Sequence, residues 1–92
     1  MSSTKADPST SILVADSSPV TQKSIMSYLT DFHFKDITVI KDGYELLSIS
    51  NEKKFDLIIL DHHLNKSNSL NSLSDIQGKS ENNDTPIVFM FN

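Results

Sequence analysis

Four short runs, separated by longer mixed stretches, set the pattern of this chain: Ile12–Ala15, Ile37–Ile40, Leu57–Leu60 and Ile87–Phe91. Ile37–Ile40 is β-branched throughout; the other three are apolar, too short for a helix and too continuous for a strand with one wet face. Such runs read as strands covered on both sides, the kind found in parallel sheets. Asp16-Ser17-Ser18-Pro19 ends the first run and supplies a cap with proline at or near the first helical position. From Val20 to Phe32, Ile25, Tyr28, Leu29 and Phe32 fall at i, i+3, i+4 and i+7. This predicts an amphipathic helix with Gln22, Lys23, Ser27 and Thr30 toward water. After the second run, Lys41-Asp42-Gly43 forms a turn able to cap a second helix, which carries Tyr44, Leu46, Leu47 and Ile49 and ends near Asn51. Strand, helix, strand, helix, strand is the alternation of right-handed crossovers in a parallel α/β sheet.

Beyond Asp61 the pattern loosens. His62 and His63 are adjacent, so their side chains diverge, and no third ligand lies at a usual spacing; they read as loop histidines. Between Asn65 and Asp84, Asn and Ser dominate, and Leu70, Leu73 and Ile76 support a weak helix of about two turns between loose loops. Thr85-Pro86 then opens the last apolar run. It reads as interior to a sheet, yet no later element exists in the sequence to pair with its free side. Two resolutions are open: a larger domain truncated after this strand, or completion by another chain through strand addition or a swapped dimer.

Ninety-two residues without cysteine make one small domain whose core must supply its stability. Residues 1–10 read as a disordered tail and 11–92 as the domain. The net charge of -4 and the lack of a basic run longer than Lys53-Lys54 argue against nucleic acid as a partner. No apolar stretch resembles a signal or a membrane span, so the expectation is a cytoplasmic protein without membrane contact, the nucleus remaining open to it.

Candidate chemistry gathers at the strand ends. Asp61 follows a buried parallel strand, at the carboxyl edge where open α/β sheets keep their sites. The alternative is that it only opens the next turn. Asp16 holds the same place after the first strand, where it could equally help end the strand and cap the helix.

Four segments, SILVADSSPVTQKSI, KDGYELL, FDLIILD and TPIVFMF, together resemble response-regulator receiver domains in order and spacing. The resemblance implies a flavodoxin-like doubly wound parallel sheet, here incomplete, with about four strands in the order 2-1-3-4 and two to three helices. It makes Asp61 the candidate acceptor of a phosphoryl group from a histidine kinase or a histidine phosphotransfer protein, and Asp16 and Asp61 weak Mg²⁺ ligands, with the His63 backbone carbonyl as a further oxygen. A cation is needed because an anionic carboxylate must approach an anionic phosphate. The pattern is incomplete. Ser17 replaces the second acid, Phe91 stands at the usual Thr or Ser, Asn65 at the usual Pro, and the lysine after a fifth strand has no counterpart. The expectation is therefore a degenerate receiver in a phosphorelay, acting by partner binding with weak or no phosphorylation and no enzymatic turnover of its own. The alternatives are a receiver phosphorylated on Asp61 with Mg²⁺, and a non-functional remnant.

Overall fold

The computed structural model describes residues 9–65, 76, 78 and 81–90. Its elements are β1 (Ser11–Ala15), α1 (Pro19–Asp31), β2 (Asp36–Ile40), α2 (Gly43–Glu52), β3 (Leu57–Asp61), the single turn α3 (His62–Asn65) and β4 (Ile87–Met90). All strand pairs are parallel, in the order β2-β1-β3-β4. This is the expected flavodoxin-like arrangement. The chain leaves β1 for β2 on one side and then crosses to β3 on the other, so α1 and α2 cover opposite faces.

Each helix begins on a side-chain cap. The Ser18 hydroxyl accepts from Thr21 N at 3.3 Å, with Pro19 at the first helical position, and Asp42 Oδ1 accepts from Glu45 N at 2.8 Å. The end of α1 is a left-handed turn at His33, φ 71°, where Phe34 N donates to Leu29 O and His33 N to Thr30 O. That pairing satisfies the helix's last carbonyls, as glycine more often does.

The main core lies between the sheet and α2. Leu13 and Ala15 of β1, Ile40 of β2, Ile58 and Leu60 of β3, Leu46, Phe55, Leu64 and Ile76 form one buried cluster. Ile12 and Val14, which alternate with Leu13 and Ala15, are equally buried on the other face, toward α1.

The structure corrects three expectations. The apolar face of α1 does not seat as a whole: Ile25 and Leu29 are half-buried, whereas Tyr28 and Phe32 are 69% and 60% exposed. Gln22, assigned to water, is half-buried instead and donates its amide to the Asp16 carbonyl. The second correction is at His62 and His63, which begin the helical turn α3 rather than a loop. Third, β4 is an edge strand among the described residues, half-buried, with Val88 50% exposed. Of the expected helix between Asn65 and Asp84, Ile76 is helical and fully buried; Leu70 and Leu73 lie outside the described residues.

Candidate functional site

Parallel register brings the two candidate carboxylates together. Ala15 of β1 pairs with Leu60 of β3, so Asp16 and Asp61 are each the next residue along neighbouring strands. They stand where the chain's direction across the sheet reverses, the place where open α/β folds form a crevice. The sequence placed Asp61 after its strand; it is the strand's last residue, paired with Met90 of β4.

Both carboxylates are buried, at 1% and 3% exposure. Asp16 Oδ1 accepts from Ser18 N at 2.8 Å, and Asp61 Oδ2 from Leu64 N at 3.3 Å, so each acid also holds the turn that follows it. Of the alternative structural roles, Asp61 opens the turn that follows it and Asp16 holds the turn after its strand, whereas the cap of α1 is Ser18 rather than Asp16. Their other oxygens, Asp16 Oδ2 and Asp61 Oδ1, have no hydrogen-bond partner among the described residues. Buried oxygens without donors are costly, and two anionic ones side by side more so. A cation between them would relieve both costs.

Burial raises the Asp16 pKa from its ordinary 3.8; the Ser18 N–H opposes this and the Asp61 charge adds to it. A carboxyl with a raised folded-state pKa destabilises the fold when ionised, and stability returns as pH falls through that pKa, fully so below the unfolded value. Asp16→Asn should thus be more stable than the parent at neutral pH without divalent cations, by about 1 kcal/mol for one orphaned buried oxygen. The advantage should shrink on acidification and vanish below 3.8. Urea unfolding of both proteins across pH checks this. Asp36, held low by the Ser11 hydroxyl and Lys53, and Asp84, held low by Lys54, have the opposite trend, but they are common to both proteins and cancel.

The acid pair therefore fits a small hard cation, which would take its remaining ligands from water and backbone oxygens. His63, whose carbonyl the resemblance makes a further ligand, lies in α3 two residues past Asp61. Ser17, in place of the second acid, is exposed. Among the described residues no three acidic or histidine side chains group into a metal site. Phe91 and the Asn65 side chain lie outside the described residues. What the sequence did not disclose is the α3 turn, whose Leu64 N–H fixes one Asp61 oxygen; no cap or periodicity marks a helix of four residues.

The fold, the switch-point crevice and the paired strand-end acids define a receiver-type α/β domain. Residues 12–91, nearly the whole chain, match the family model of the response regulator receiver domain, and the chain belongs to that family. No curated protein matches it. Among the described residues, no helix is long and apolar enough to cross a membrane.

Proposed function

We propose that this chain is a degenerate receiver module of two-component signalling that works by binding its phosphorelay partner, with weak or no phosphorylation. The observation that carries this reading is Ser17: an exposed hydroxyl stands where the family has a second metal-binding acid, beside an otherwise intact pair. With one carboxylate fewer, affinity for Mg²⁺ falls, and with it the charge neutralisation that phosphoryl transfer to Asp61 needs. Asp16, Asp61 and the His63 carbonyl would hold the ion; when bound, it would offset the negative charge of carboxylates and phosphate. The module has no turnover of its own, and its place of work is the cytoplasm, with the nucleus open to it.

The partner is a histidine kinase or a histidine phosphotransfer protein. Supporting this, α1 starts two residues past Ser17 and leaves Val20 and Tyr28 exposed, with Phe32 exposed at its C-cap, apolar side chains on one side of the helix with the polar Ser24 between the first two. The edge strand β4, free of charged residues, is a second surface that a strand-completing partner or a swapped dimer could use.

A phosphoryl-accepting reading is favoured by one specific observation, the orphaned oxygens of Asp16 and Asp61. Asp61→Asn separates the two. Incubation with a phosphorylated histidine donor and Mg²⁺ should give little hydroxylamine-labile phosphate on the parent protein, and the variant should bind the partner within about twofold of it. Substantial phosphate on the parent that disappears in the variant would establish the phosphoacceptor instead.

A further inference from the structure

Between α2 and the end of β2 lies an open cleft of about 210 Å³, lined by Ile40, Glu45, Ser48, Ile49 and Glu52. Ile40 is the last residue of β2, whose outer edge is unpaired among the described residues. Ile40 and Ile49 provide apolar walls, and the two glutamates provide the charge. Glu45 sits three residues after the cap Asp42, in position to bond back to it, yet only the Asp42 half of that exchange is made. Neither Glu45 nor Glu52 meets a cation among the described residues, where the ion pairs are Lys53 with Asp36 and Lys54 with Asp84.

We propose that this cleft docks a basic amphipathic helix of a partner protein. Glu45, Ile49 and Glu52 follow one another at i, i+4 and i+7 on α2, which separates the backbone positions of the two glutamates by roughly 10.5 Å along the axis. Two cations at that separation, on one face and with an apolar residue between them, are what a helix presents at its own i and i+7 positions. An extended segment reaches the same distance in about three residues, which places the two side chains on opposite faces. Charge complementarity and side-chain spacing thus select a helical, cationic occupant. The inference is independent of whether Asp61 is phosphorylated, because it uses neither Asp61 nor Asp16.

The probe is a helical peptide of about 14 residues with Lys at i and i+7 and Leu at i+3 and i+4. It is titrated into the isotopically labelled full chain while amide resonances are followed. Residues 40 and 45–52 should shift, with affinity falling as salt rises. The double variant Glu45→Lys, Glu52→Lys, both exposed positions, should lose the peptide by about tenfold or more and bind a counterpart carrying Glu at i and i+7. Retained affinity in the double variant, or shifts elsewhere only, would overturn the proposal. So would concentration-dependent shifts of residues 45–52 without peptide, which would assign the cleft to a second copy of this chain.

Discussion

Asn82→Ala is expected to remove most of the chain's stability at room temperature. Asn82 is fully buried, and its side-chain amide ties together the end of α2, the segment ahead of β3 and the segment ahead of β4. Its Nδ2 donates to the Ser50 carbonyl at 2.8 Å and the Lys53 carbonyl at 2.7 Å, at the end of α2. Its Oδ1 accepts from Phe55 N at 2.6 Å, ahead of β3. The Thr85 hydroxyl, ahead of β4, lies 2.9 Å from Asn82 Oδ1 and 3.0 Å from the Phe55 carbonyl, within donating distance of both. Alanine would strand one buried N–H and two carbonyls. At about 1–3 kcal/mol per unsatisfied buried group, with partial relaxation, the loss is roughly 3–5 kcal/mol. A chain of this size at the low end of normal stability has about 5 kcal/mol in all. Urea unfolding by circular dichroism, with amide dispersion as a second probe, reads the effect. A midpoint close to the parent's would show that the clamp does not hold the fold together.

Ser17→Asp is expected to raise Mg²⁺ affinity by about ten- to a hundredfold, since ligand charge count tunes such sites. Ser17 is exposed, so a carboxylate there is not itself desolvated when the ion is absent, and the Ser18 cap of α1 is untouched. The variant should be less stable than the parent without metal, because a third negative charge then adjoins the Asp16 and Asp61 pair. With millimolar Mg²⁺ the order should reverse, through linkage of binding to folding. Thermal unfolding with and without Mg²⁺ measures both. An unchanged Mg²⁺ response in the variant would mean that position 17 does not reach the ion, and that its serine is not what limits the site.

Much of this was legible in the sequence because it is local. Runs such as Leu13-Val14 and Ile58-Ile59-Leu60 announce buried strands by composition, and strand-end acids acquire meaning once two such strands are parallel neighbours. The face of α1 was not legible. Periodicity grouped Tyr28 and Phe32 with Ile25 and Leu29, but seating also depends on Gln22, whose amide turns inward to the Asp16 carbonyl. Asn82 carried no signal either. In the polar stretch Glu81-Asn82-Asn83-Asp84 it looks like any loop residue, and its partners lie 27 to 32 residues earlier in the chain. Glu52 was not legible as part of α2 either: the helix was expected to end near Asn51, with Glu52-Lys53-Lys54 solvated beyond it, whereas Glu52 is its last residue.

The central claim, an acid pair kept but lacking its third carboxylate, is tested most directly by amide NMR of the parent and Ser17→Asp proteins. Spectra are recorded with Mg²⁺ alone and with Mg²⁺ plus beryllofluoride, a mimic of the aspartyl phosphate. In the parent, Mg²⁺ should produce only weak, unsaturated shifts near Asp16 and Asp61, and beryllofluoride should add little; in the variant the Mg²⁺ shifts should saturate at lower concentration. Saturating beryllofluoride shifts in the parent, extending from Asp61 into β4, would contradict the account and make this chain a working phosphoacceptor.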